Sequence, residues 1–245
     1  MTDSMEATVK PILLCVPFAG AGASFYRPWQ DLDDGGVQVR PVNLPGRERR
    51  IAEEPFRDVH QAASGLSAEL VDSLREESRP LALFGHSLGA VLAFELTRRL
   101  NAAGCQVDHL FVSGSARPDH VRRDRATGLD DEEFLNKVEE LAGYRHEVLD
   151  DPEMRELILP VLRADVEMHE NYVPQDLAPL PTPITAIRGR DDDLVSHGDL
   201  LGWTDLTSGS FQARGMPGGH MYLTDAAREV LKLVAASFTS VAASH

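Results

Sequence analysis

Leu81-Ala82-Leu83-Phe84-Gly85-His86-Ser87-Leu88-Gly89-Ala90 is the stretch whose reading decides the fold of this 245-residue chain. A strand-length apolar run, Leu81 to Phe84, leads into Gly-x-Ser-x-Gly. Ala90-Val91-Leu92-Ala93-Phe94-Glu95-Leu96 then continues as a helix, with Arg98 and Arg99 suited to its C-terminal end. A serine placed so sits on a sharp strand-to-helix turn that pushes its hydroxyl clear of the backbone, and the flanking glycines let neighbouring chain approach closely. The bare pattern arises by chance in about one chain in ten of this length. A serine hydroxyl is also a poor nucleophile until a base removes its proton. The motif therefore carries weight only if its partners follow.

They follow in the order serine, acid, histidine. Pro183-Ile184-Thr185-Ala186-Ile187 reads as a strand that runs into Gly189-Arg190-Asp191-Asp192-Asp193-Leu194-Val195. A carboxylate there can receive an imidazole Nδ1–H and hold the ring in the productive tautomer. Of the three aspartates, Asp192 fits the Gly-x-x-Asp-x-x-Val spacing; Asp191 and Asp193 read as capping or solvated loop charge. Ser210 to Arg214 reads as another strand, followed by Gly215-Met216-Pro217-Gly218-Gly219-His220. His220 stands out among nine histidines through its glycine pair and its place after the acid. The remaining need is a pair of backbone N–H groups for the oxygen that gains charge in a tetrahedral intermediate. Leu88, after the serine, is one donor. The other comes from the turn Pro17-Phe18-Ala19-Gly20-Ala21-Gly22 after the strand Ile12 to Val16, with Ala19 preferred and Phe18 the alternative. That glycine-rich turn lacks the Gly-Lys-Ser/Thr of a phosphate loop and the spacing of a dinucleotide fingerprint.

Taken together, Pro17-Phe18-Ala19-Gly20, Leu44-Pro45-Gly46-Arg47, Phe84-Gly85-His86-Ser87-Leu88-Gly89, Leu159-Pro160-Val161-Leu162-Arg163-Ala164-Asp165 and Pro217-Gly218-Gly219-His220 resemble the type II thioesterases. These are free-standing α/β hydrolases that accompany modular polyketide and nonribosomal peptide synthases. The resemblance runs from about Pro11 to Val230. It implies Ser87 as nucleophile, Asp192 as acid and His220 as base. It further implies an editing role, the removal of stalled or aberrant acyl groups. One departure is Ala21 between Gly20 and Gly22, where family members often carry consecutive glycines; its methyl would narrow the acyl entrance.

The alternation of strand-like and helical segments argues for an α/β fold with a mostly parallel sheet and helices on both faces, in one domain spanning 1–245. No linker divides the chain. The N-terminus carries Asp3 and Glu6 where a secretory signal would be basic, and the apolar stretch Ile12 to Phe25 is too short to span a bilayer, so a cytoplasmic protein is expected. Cys15 and Cys105 offer no disulfide framework. A formal charge of −15 disfavours nucleic-acid binding. It also sets a difficulty for the partner that the resemblance implies, an acidic acyl or peptidyl carrier protein bearing an acyl-phosphopantetheine. Arg117, Arg122, Arg123 and Arg125 follow the strand Leu110 to Ser113 and are candidates for a local carrier-binding surface. Arg47, Arg49 and Arg50 form a second cluster that also reads as a solvated loop.

Between Ser113 and Pro183 no strand signal occurs. Asp130 can cap a helix with Phe134, Leu135, Val138 and Leu141 on one face. Asp151-Pro152 opens another with Leu157, Ile158, Val161 and Leu162 as its stripe, which Pro160 should kink or break. This segment, about 115–178, reads as a helical lid over the nucleophile, with Phe18, Phe134, Leu157 and Val161 as candidate acyl contacts. Asp165 and His169 share a helix face and read as a surface ion pair; no ligand set for a metal suggests itself, and no cofactor is expected. The expected reaction is thioester hydrolysis by Ser87, His220 and Asp192. The alternatives are a serine esterase or lipase acting on small oxygen esters, acyl transfer to an amine or alcohol, and a non-catalytic binding protein on the same scaffold.

Overall fold

The computed structural model describes residues 10–32, 36–120, 124–142 and 147–242. Arg122 and Arg123 of the first arginine cluster lie outside them. Six strands form one sheet: β1 (Ile12–Val16), β2 (Gln38–Pro41), β3 (Leu81–His86), β4 (His109–Ser113), β5 (Ile184–Gly189) and β6 (Phe211–Met216), in the order β2-β1-β3-β4-β5-β6. Every pairing is parallel. Parallel neighbours need crossovers. These are α1 (Arg27–Asp31), α2 (Val59–Arg75), α3 (Leu88–Ala102), the pair α4 (Asp131–Ala142) and α5 (Pro152–Glu170), and α6 (His197–Leu201); α7 (Ala227–Ala242) follows β6.

Strand side chains alternate between two cores. Ile12, Leu14 and Val16 pack with Leu66, Leu92 and Leu96 of α2 and α3, while Leu13 and Cys15 face Trp29 of α1 and Val230 and Val234 of α7. Burial on both faces is why the central strands read as unbroken apolar runs. Burial likewise raises the Cys15 thiol well above its ordinary range, leaving it an inert packing group.

β1 lies second from one edge of the sheet, with β2 added on its outer side and β3 to β6 on the other, so the order reverses between β1 and β3. A crevice opens at the carboxyl ends of strands flanking such a reversal. Here it is bounded by the turn after β1 and by Ser87 after β3. The two approach closely because glycines allow it. A Cβ on Gly85 would stand 1.9 Å from the Gly89 carbonyl oxygen, and one on Gly89 would stand 2.4 Å from that of Val16.

The segment between β4 and β5 contains no strand among the described residues, apart from an isolated bridge of Leu180 to Thr207. Asp130 accepts from the Glu133 amide at 2.9 Å, and Asp151 caps α5 through the Glu153 and Met154 amides. The expected interruption at Pro160 does not occur: α5 continues through it from Pro152 to Glu170. The proline orphans the Glu156 carbonyl, but both residues are exposed, so water can replace the lost donor.

Gly85→Ala should therefore cost at least about 3 kcal/mol, the upper end for overpacking, because backbone rather than a side-chain tip blocks the new methyl. Gly104→Ala, at φ +81 with nothing within 4 Å of the added Cβ, should cost only the left-handed strain of about 1–2 kcal/mol. Urea unfolding of the two variants measures the difference.

Candidate active site

Ser87 immediately precedes α3 and adopts φ 53, ψ −119, a left-handed conformation that a non-glycine residue holds only under constraint. The constraint is visible. Its N–H donates to the Ser113 carbonyl at 2.8 Å, tying the turn to the end of β4, and the glycine contacts on either side leave the backbone no other path. Leu88, fully buried, is the first residue of α3, so its N–H lies at the positive end of that helix.

Asp192 follows β5. A Cβ on Gly189 would lie 2.0 Å from the Gly219 carbonyl oxygen, and Asp191 N–H donates to the Gly218 carbonyl at 3.0 Å. The glycine pair before His220 thus lies directly against the end of β5 and delivers the imidazole to the aspartate. His220 Nδ1 stands 2.9 Å from Asp192 Oδ2. The other carboxylate oxygen accepts from the Leu194 and Val195 amides at 2.9 and 3.2 Å. Burial opposes ionisation of Asp192, but its contacts with His220 and these two amides outweigh it, and the carboxyl is held below its ordinary range. Asp191 and Asp193 are exposed.

Beneath His220 lies a residue that the sequence offered only as the variable position of the motif. The His86 ring is fully buried, 4.8 Å from the His220 ring between centroids. Burial, and secondarily the charge of His220, keep its pKa well below the usual value, so it is a neutral platform. Its Nδ1 meets Ser113 Oγ at 2.8 Å, which meets the Tyr222 hydroxyl at 2.6 Å. Gly114, at φ +54, leaves room for both rings: an added Cβ would lie 2.4 Å from His86 Cε1 and 3.1 Å from His220 Cε1.

Ser87 and His220 line a cavity of about 580 Å³. Phe18 and Ala19 contribute to its wall, Leu135 and Val138 come from α4, and Leu157 and Val161 from α5. Phe134 is not part of this lining. It is buried between the two cover helices with Leu159 and Leu162, and the Arg163 guanidinium sits 4.3 Å over its ring. Leu157 and Ile51, 54% and 55% exposed, also reach the cavity and mark its mouth as apolar.

Two further sequence readings change. Asp165 is no surface partner of His169: its side chain is 1% exposed and pairs with both terminal nitrogens of Arg47, at 2.7 and 2.8 Å. Arg47 in turn leaves the solvated cluster assigned to it. An isolated pattern of like charges cannot reveal this, because the partner lies 118 positions away. Arg117 is engaged by Asp119 and Asp205, and Arg125 by Glu170 and Asn171, so neither guanidinium is free of partners. Among the described residues no cluster of three or more His, Cys, Asp or Glu could hold a metal, and no helix is long and apolar enough to cross a membrane.

The model of the thioesterase domain family matches residues 11–238. A solved structure, the type II thioesterase BorB from the borrelidin biosynthetic cluster, superposes with a TM-score of 0.77 at 34% identity, covering 93% of this chain and 91% of that one. The chain belongs to the type II thioesterases. The RedJ thioesterase of the prodiginine pathway in Streptomyces coelicolor aligns with a TM-score of 0.82 at 33% identity, over 94% of this chain and 86% of that one. The gramicidin S biosynthesis protein GrsT of Aneurinibacillus migulanus is 33% identical over 94% of this thioesterase and 90% of its own length. The enzyme is accordingly a serine-type hydrolase on the α/β-hydrolase fold.

In this thioesterase, Asp192→Asn should lower kcat on the order of 10⁴-fold, as loss of the orienting carboxylate does in a protease triad. Asp191→Asn and Asp193→Asn should leave kcat nearly unchanged. Steady-state kinetics of the three variants checks the order, and a larger loss at either neighbour overturns the assignment.

Proposed function

We propose that this thioesterase hydrolyses acyl thioesters held on the phosphopantetheine arm of acyl or peptidyl carrier proteins, and so clears stalled or aberrant acyl groups from a polyketide or nonribosomal peptide synthase. The observation that carries the reading is the joining of Ser87 and an Asp192-oriented His220 to one apolar, helix-covered cavity. The biosynthetic settings of BorB, RedJ and GrsT support the pathway class. On this reading the enzyme is one domain, works in the cytoplasm beside its synthase, and needs no cofactor.

Ser87 Oγ attacks the thioester carbonyl carbon while His220 Nε2 takes the hydroxyl proton. The carbonyl oxygen becomes an oxyanion held by the Leu88 and Ala19 N–H groups. Collapse breaks the C–S bond, and His220 returns the proton to the departing sulfur. Water then attacks the acyl-serine. His220 takes one of its protons and passes it to Ser87 Oγ as the carboxylic acid leaves. Asp192 stays ionised throughout and stabilises the imidazolium.

The segment at about 115–178 acts as the lid, its α4 and α5 stripes shielding the acyl chain from water. For the carrier surface, Arg117, Arg122, Arg123 and Arg125 remain candidates, with the acids beside Arg117 and Arg125 lowering the charge those two present.

Ser87→Ala should fold normally and lose on the order of 10⁶ in kcat, the scale seen when a triad loses its nucleophile. Retention of more than about a tenth of the activity removes Ser87 from that role. Hydrolysis of an acyl-carrier protein should exceed that of a p-nitrophenyl ester of equal chain length; the reverse order favours a general esterase. Failure of a fluorophosphonate to label Ser87 favours a binding protein.

Leu157→Ser should raise KM for long acyl chains while leaving acetyl hydrolysis nearly unchanged, since this exposed side chain holds no core contact that folding requires. Equal effects across a chain-length series make α5 a support for the fold and not a determinant of acyl choice.

A further inference from the structure

Asp165 has no part in the triad, yet it is among the most completely enclosed charges in the described structure. It projects from α5, one helical turn after Leu162. Its Oδ2 accepts from the Gly20 amide at 2.8 Å and from Arg47 Nη1 at 2.7 Å, and its Oδ1 accepts from Arg47 Nη2 at 2.8 Å. The same Arg47 Nη1 donates to the Ala21 carbonyl at 2.8 Å. The turn after β1 is therefore gripped from both sides, its Gly20 N–H by the carboxylate and its Ala21 C=O by the guanidinium. Leu162 adds an apolar contact, since a Cβ on Gly20 would lie 2.9 Å from Leu162 Cδ1.

This grip determines which amides of the turn are free to act. Gly20 N–H is engaged by Asp165, and Ala21 N–H by the Phe18 carbonyl at 3.0 Å. The turn has φ +75 at Gly20, and the two residues before it, Phe18 and Ala19, line the cavity that holds Ser87. A donor for an oxyanion is effective only if its direction is fixed before the charge appears. The fork geometry of an Arg–carboxylate pair supplies such fixing, which a single contact does not.

We propose that Asp165 and Arg47 are positioning residues for the oxyanion hole, holding the turn so that the Ala19 amide points at the carbonyl attacked by Ser87. Because Asp165 sits on α5, docking of that cover helix and completion of the hole are one event. This rests on the hydrolytic reading of the site given above.

The test uses full-length Asp165→Asn and Arg47→Lys. The first lets an amide oxygen replace one carboxylate oxygen but ends the paired fork. The second keeps a cation against Asp165 and removes the planar donor set. Each is assayed on an acyl-pantetheine and titrated with an alkylboronic acid and the carboxylic acid of matching length. The boronate forms an anionic tetrahedral adduct on Ser87 that needs the hole; the carboxylic acid needs only the cavity. The expected result is a fall in kcat of about 10- to 100-fold, below the loss for deleting a donor outright, with KM changed less than about 3-fold. Boronate affinity should fall in parallel, carboxylic-acid inhibition should persist, and the acid limb of the pH profile should not move, since His220 and Asp192 are untouched. Boronate and carboxylic acid weakened equally would mean a deformed cavity and would overturn the proposal, as would wild-type kcat in both variants. Arg47→Lys decides the case alone if Asp165→Asn does not fold. Absence of thioester hydrolysis by the wild-type protein would count against the functional reading only, because the boronate comparison requires no thioester.

Discussion

The close backbone approach at the β3–α3 junction is the constraint on which the remaining geometry depends. Gly85 lies against the Gly89 carbonyl and Gly89 against the end of β1, so no side chain fits at either place. With both neighbours confined, Ser87 has a single course, through φ 53, and its amide is pinned to β4. The strain of that conformation is borne by packing around it. The buried strand and helix on either side cannot relax without opening the core. The same approach brings the turn after β1 beside the first amide of α3, which makes a paired-donor site feasible at all.

Two buried carboxylates show one physical rule serving two ends. Asp192 and Asp165 are both almost wholly withdrawn from water, and on each several hydrogen-bond donors converge. Around Asp192 the donors are two loop amides and a histidine, and the pair orients an imidazole. Around Asp165 they are an amide and a guanidinium, and the set joins three segments distant in sequence: the turn after β1, the Arg47 loop and α5. His86 is the counter-case. Burial, and after it His220, hold its pKa well below the usual value, and its ring lies tilted by 50° against that of His220 as a neutral packing group.

The surface poses a different problem. The net charge of −15 is unevenly compensated, and Arg117 and Arg125 already lie against acidic or amide partners. Exposed pairs of this kind contribute little to stability and are screened by salt. The mouth of the cavity, by contrast, carries Ile51 and Leu157 with more than half of each side chain in water. The cavity that holds Ser87 is therefore bordered in part by exposed apolar side chains.

By itself the sequence determined the strand order of events along the chain: apolar runs of period-independent burial, the glycine-flanked Ser87, Asp192 at a Gly-x-x-Asp-x-x-Val spacing, and His220 behind a glycine pair. These are legible because each rests on local chemistry, on what a short segment must do wherever it lies. Capping by Asp130 and Asp151 was legible for the same reason. The structure alone decided the rest. Asp165 looked like a surface charge because its partner, Arg47, is remote in sequence. Phe134 looked like a cavity residue because periodicity gives a face but not what the face meets. Pro160 looked like a break because the sequence does not say that the orphaned carbonyl faces water. His86 and Tyr222 carried no signal, since a buried platform is defined only by the rings and hydroxyls that other strands bring to it. Burial and pairing are properties of contacts between distant segments, and only the tertiary fold sets them.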